Sequence, residues 1–180
     1  MNYVYVDNSN VWIEGMHVSA VRVGIAPDIW TAQKERICDR DWRLDFGRLY
    51  DFACGEASDV GRAALFGSRP PANDSLWATA RARGFEPILY DRNARNCEKK
   101  IDTSIATEMV TDSFARMNPK SDEITLVAGD SDYVPTVLSL RNRGFSVNLM
   151  FWEHASRELR EVVSRFISLD PYVGHLCLMP

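Results

Sequence analysis

The sequence holds no apolar run long enough to cross a bilayer, and its opening, MNYVYVDNSN, lacks the basic stretch that precedes the apolar part of a signal peptide. A cytoplasmic protein with no membrane partner is therefore expected. Cysteine pairs are missing too. Cys38, Cys54, Cys97 and Cys177 stand far apart, with no C-x-x-C pair and no histidine at zinc-ligand offsets, so neither a structural zinc nor a thioredoxin-type redox site is indicated. Basic residues are not in excess: the net charge is −4 and the isoelectric point near 5.4, so the chain has no overall positive field, and any polyanion must be met by a local patch. Histidine is scarce, and His17, His154 and His175 fall outside every motif described below.

What is present describes an ordinary folded domain. With 180 residues, 46% apolar and 26% charged, one core can form without a staple and disorder is excluded. Strand signals alternate with helix signals, the pattern of a parallel sheet covered on both faces. The strand candidates are 3–6, 62–66, 86–90, 123–128 and 146–151, about five in all, and the helix candidates are 43–54, 74–83, 101–117, 134–143 and 156–166. Arg81-Ala-Arg-Gly-Phe85 and Arg141-Asn-Arg-Gly-Phe145 both put cations in a last helical turn, then Gly, then an apolar residue, which is one helix-to-strand connection used twice. The segment 16–41 mixes alternation with Gly24, Pro27 and a charged run and reads as a variable insertion or lid, while 171–180 reads as a C-terminal tail.

The informative positions are acids at strand ends. Asp7 follows the first strand, Asp130 the fourth, and Asp132 lies two residues further on. Asp102 opens the helix after the third strand, with Ile105, Ala106 and Met109 at three, four and seven positions beyond it, so it belongs to the inward stripe at the ligand edge of an open α/β sheet. Singly, each has an ordinary use: Asp132 or Ser131 as a helix cap, Asp7 as a turn residue, Asp102 as a charge at a helix N-terminus. Jointly, four carboxylates would repel one another unless a cation sat among them, and oxygen-only ligands suit Mg²⁺ or Mn²⁺.

With Y-V-D-N-S-N (Tyr5 to Asn10), K-K-I-D-T (Lys99 to Thr103) and V-A-G-D-S-D-Y-V-P (Val127 to Pro135) in that order, the chain resembles the NYN domain family, a branch of the PIN-like ribonucleases, from about residue 2 to about residue 169. The resemblance implies a Rossmann-like three-layer α/β/α domain over 1–170 and divalent-metal-dependent endonucleolytic cleavage of single-stranded or loop RNA. It makes Asp7, Asp102, Asp130 and Asp132 the catalytic metal-binding acids, Asn10 and Ser131 polar helpers at a ligand water or phosphate, and Lys99 a phosphate neighbour. The family's habit of pairing admits a homodimer. Where the family often has an acid before its closing Phe, Val163-Ser164-Arg165-Phe166 offers Ser164. An alternative within the family is a catalytically inactive module that binds RNA or protein. A haloacid-dehalogenase-like phosphatase fits less well, because it needs a second Asp two residues after its first, where this chain has Ser9.

A substrate path is also suggested. The stretch Arg81 to Lys100 carries net +3 within an acidic chain, and Arg92, Arg95, Lys99 and Lys100 all precede Asp102, where they would hold phosphates without reading bases. Arg69, in GSRPP after the second strand, would join them on that edge. Tyr133, Trp12 and Trp152 have two uses, stacking a base or packing a core.

Overall fold

The computed structural model describes residues 1–69, 75–91 and 97–178. Strand β1 (Asn2–Asp7) shows how the layers form. Successive side chains leave opposite faces of a strand, so Tyr3 and Tyr5 turn to one side and Val4 and Val6 to the other, and all four are buried because helices cover both faces. Around it lie β2 (Val60–Arg69), β3 (Glu86–Asp91), β4 (Glu123–Val127), β5 (Ser146–Phe151) and β6 (Arg165–Ser168), in the spatial order β3-β2-β1-β4-β5-β6 with every neighbouring pair parallel.

The face carrying Val4 and Val6 packs against α1 (Asn8–Arg22), α3 (Phe46–Cys54) and α4 (Ser75–Ala82), with Leu49, Trp77, Trp42 and Trp152 in the core. The face carrying Tyr3 and Tyr5 packs against α5 (Cys97–Ala115), α6 (Val134–Asn142) and α7 (Arg157–Val162), through Ile101, Ile105, Met109, Val137, Leu140 and Leu159. Gly15 lets α1 come close to this core. A Cβ there would lie 2.4 Å from the Trp42 ring and 2.7 Å from that of Trp152.

One expectation is corrected. The sheet has six strands, not five, because the helix expected over 156–166 stops at Val162. Val163 leaves the helix in extended backbone, with φ −78° and ψ 163°, and Ser164 starts the ladder from both ends: its N–H donates to Val147 O at 2.8 Å and its Oγ accepts from Val147 N at 3.0 Å. The departure from the family pattern at Ser164 is thus a strand-pairing residue. The segment 16–41 is largely helical. Helix α1 runs unbroken through its first third, ending where Gly24 adopts φ +79°, and α2 (Ile29–Glu35) then packs back on it through Ala20, Ala26 and Ala32.

Residues 169–177 also pack into the body: Leu169, Val173 and Leu176 are buried, and Trp42 Nε1 donates to Val173 O at 2.8 Å. No helix among the described residues is long and apolar enough to cross a membrane.

Candidate metal centre

In this strand order the connections diverge between β1 and β4, and the crevice outside their carboxyl ends is where such sheets take ligands. Asp7 is the last residue of β1 and caps α1: its Oδ1 accepts from Asn10 N at 3.1 Å and from Ser9 Oγ at 3.0 Å. Asp130 follows β4 across the Ala128-Gly129 step. Asn10 ties the two strand ends together, its Oδ1 accepting from Gly129 N at 2.8 Å and its Nδ2 donating to Asp130 Oδ2 at 3.1 Å. The backbone donor at Gly129 fixes which way the amide faces. Asp102 stands on α5, one turn deeper than expected because the helix begins at Cys97, between buried Ile101 and Ile105. Its Oδ1 accepts from Tyr133 Oη at 3.0 Å, and Tyr133, in a 3₁₀ turn over Ser131–Tyr133, is only 1% exposed.

Together these elements bring one carboxylate oxygen each of Asp7, Asp102 and Asp130 within 4.8 Å of one another. Burial pushes Asp7 up to about 6; the bonds from Asn10 and Ser9 work against that, and the charges of Asp102 and Asp130 add to it. Burial and the same three carboxylates hold the Tyr133 hydroxyl far above its ordinary value, so it serves Asp102 as a neutral donor. A hollow of about 310 Å³ opens beside the trio, lined by Asp7, Asn10, Ile13, Glu14, Asp102 and Asp130 among others. The donor set fits a hard cation: an octahedral ion with bonds of about 2.1 Å spaces its ligand oxygens by about 3 to 4.2 Å, which small side-chain rotations of this trio reach.

Three of the four expected aspartates form this group. Asp132 is exposed on the turn after Asp130 and lies outside it, lining a second hollow of about 560 Å³ with Asp102, Thr103, Ala106, Ser131 and Pro135. Ser131 is exposed at the join between that hollow and a third, of about 260 Å³. Lys100 is exposed on α5. Arg69 closes β2 and Lys99 stands in the first turn of α5, with side chains outside the described atoms, and Arg92 and Arg95 lie outside the described residues. All three candidate stacking aromatics pack against the core. Trp152 and Tyr133 are buried, and Trp12 meets Phe46 edge-on at 6.3 Å.

Sequence reading missed Glu14, which lines the first hollow and lies seven positions after Asp7, on the same side of α1 as Asn10. The spacing was visible; the helix that gives it meaning was not. Burial alone would raise Glu14, but bonds from His154 and Gln33 bring it below the ordinary carboxylate value.

Gly129 is required by close approach. A Cβ there would lie 2.1 Å from the Phe151 ring, whose 2% exposure leaves it nowhere to move. Gly129→Ala is expected to cost about 1–3 kcal/mol of stability in denaturant titration and to reduce metal affinity by shifting Asp130. An unchanged unfolding midpoint would disprove this packing argument.

An all-parallel sheet with carboxylates gathered at its switch point defines a Rossmann-like α/β protein with an acidic, cation-fitting centre. The model of the NYN domain family matches residues 4–170, and the chain belongs to that family, within the PIN-like ribonuclease superfamily. A crystal structure of a protein of unknown function from Vibrio parahaemolyticus is similar, with a TM-score of 0.66 over 93% of this chain and 91% of that one; at 16% identity the likeness shows the fold alone. No curated protein matches the chain.

Proposed function

We propose that this NYN domain is a divalent-metal-dependent endoribonuclease that hydrolyses phosphodiester bonds of single-stranded RNA, with Mg²⁺ or Mn²⁺ held by Asp7, Asp102 and Asp130. The observation that carries this reading is the trio itself: three carboxylates from β1, α5 and the turn after β4, with oxygens within 4.8 Å. Like charges at that spacing around a buried carboxylate, Asp7, are unfavourable without a counter-ion. Once bound, the ion lowers the pKa of an attacking water and offsets charge as the phosphodiester opens.

The chain's own residues do the positioning. Asn10 keeps Asp130 at a fixed distance from Asp7, because its backbone N–H donates to Asp7 while its side-chain amide holds Gly129 and Asp130. The Tyr133 hydroxyl aims Asp102 at the hollow. Asp132 and Ser131 face the neighbouring hollow, where they orient a water or a phosphate oxygen one step from the trio. Openings on both sides of the acids suit an internal stretch of strand and hence cutting within the chain. By their place in the sequence before Asp102 and after β2, Lys99, Lys100, Arg92, Arg95 and Arg69 would hold flanking phosphates. RNA as substrate follows the family.

Purified protein is expected to cut a labelled single-stranded RNA internally with Mg²⁺ or Mn²⁺ and to stop when EDTA is added. Cleavage that survives the chelator would rule the metal-dependent reading out.

A further inference from the structure

The hollow beside the aspartate trio has a fourth acidic wall, Glu14. Three side chains converge on one of its oxygens: Gln33 Nε2 donates to Oε2 at 2.8 Å, His154 Nε2 lies 2.7 Å from the same atom, and His17 Nδ1 lies 3.3 Å from it. They come from α2, from the loop after β5 and from α1 itself. Among the described residues, Oε1 has no hydrogen-bond partner. Yet Glu14 lines both the hollow that holds Asp7, Asp102 and Asp130 and the adjoining one that holds Asn10, Asp130 and His154. The three contacts on Oε2 fix the group's orientation, and Oε1 takes part in none of them.

Its distance from the trio sets what it can do there. Glu14 is outside the set of oxygens lying within 4.8 Å of one another, beyond the roughly 4.2 Å that separates opposite ligands of an octahedral Mg²⁺. It lines the same hollow, which at about 310 Å³ has room for water between them. Such ions keep several waters when proteins bind them, and a water on a cation is a strong donor that seeks an anionic acceptor.

We infer that Glu14 is a positioning residue of the metal centre, its Oε1 accepting a hydrogen bond from a water bound to the ion held by Asp7, Asp102 and Asp130. The inference rests on the metal-dependent reading above. It makes α2, through Gln33, part of what orders the water on the α1 side of the ion. Outer-shell partners of this kind are worth about 10–100-fold in metal affinity.

Calorimetric titration of Mn²⁺ into the full chain tests it, with wild type, Glu14→Gln and Glu14→Asp compared in about 0.15 M and about 0.5 M KCl. Glu14→Gln is expected to bind about 10–100-fold more weakly at both salt concentrations, since a bond through water is not screened as a distant charge is. Glu14→Asp keeps the charge but withdraws it by one methylene, and is expected to fall between the two. If Glu14 only anchored α2, the variants would melt at lower temperature without metal while keeping the wild-type Mn²⁺ dissociation constant, and that result would overturn the inference. Should Glu14→Gln fail to fold, wild-type affinity in Glu14→Asp overturns it equally. Wild type that binds no Mn²⁺ removes the metal-dependent reading itself, whereas normal wild-type binding with unaltered variants removes this inference alone.

Discussion

Asp130→Asn is expected to lower single-turnover RNA cleavage at saturating Mn²⁺ by about a thousandfold, which corresponds to about 4 kcal/mol of transition-state stabilisation, while leaving the fold intact. The side chain is exposed, it follows β4 rather than belonging to it, and its bond from Asn10 Nδ2 can be kept by the Oδ1 of an asparagine. Little packing is therefore at stake. What changes is charge: one of three anionic oxygens within 4.8 Å is replaced by a neutral amide, and a poorer ligand holds the ion less tightly and polarises its water less. Removing that charge also relieves repulsion on Asp7, so in EDTA the variant is expected to melt no lower than wild type. Asp132→Asn supplies the contrast, because Asp132 lies outside the trio and is expected to lose less activity. Cleavage by Asp130→Asn within tenfold of wild type would mean that the trio is not the catalytic centre, whatever else it binds.

How much of this was legible in the residues varies by element, for physical reasons. Strands β1, β3, β4 and β5 were readable as β-branched and aromatic runs, the first three stopping at Asp or Gly, and the inward stripe Ile101, Ile105, Met109 marked α5. The acids at the strand ends followed from those boundaries. Helix α1 was hidden because it is buried too widely to show a stripe: His17, Val18, Ser19 and Ala20 are all inside, with Ser19 Oγ donating to Asp39 at 2.6 Å. Losing that helix meant losing Glu14, whose meaning depends on helical spacing from Asp7 and Asn10. Strand β6 is four residues long and begins two residues after a helix, so its signal merged with that of α7. Tyr133 was read as packing or stacking and does pack, but its hydroxyl bond to Asp102 joins segments 31 residues apart, a relation that no local pattern carries.

Asp7→Asn separates what the site does for function from what it does to stability, and the two effects have opposite signs. Asp7 ionises near 6 in the folded, metal-free protein and near about 3.9 in an unfolded chain. A carboxyl raised by folding contributes fully below the unfolded value, and that contribution is lost as pH rises through the folded one. The difference of about two pKa amounts to about 3 kcal/mol between pH 4 and pH 7. Asparagine is as good a helix cap as aspartate, and its Oδ1 still accepts from Asn10 N and Ser9 Oγ while its amide protons face Asp102 and Asp130. In EDTA at pH 7.5 the variant is thus expected to be more stable than wild type by up to about 3 kcal/mol, with the gap closing towards pH 4.5. Mn²⁺ reverses the order: at a thousand times its dissociation constant it stabilises wild type by about 4.1 kcal/mol, while the variant, short of one ligand, gains little and does not cut RNA. Denaturant melts of both proteins at the two pH values, with EDTA and with Mn²⁺, measure each of these differences. A variant less stable than wild type in EDTA at pH 7.5 would show that Asp7 is held there by its neighbours without strain, and that the trio stores no unfavourable charge for a cation to relieve.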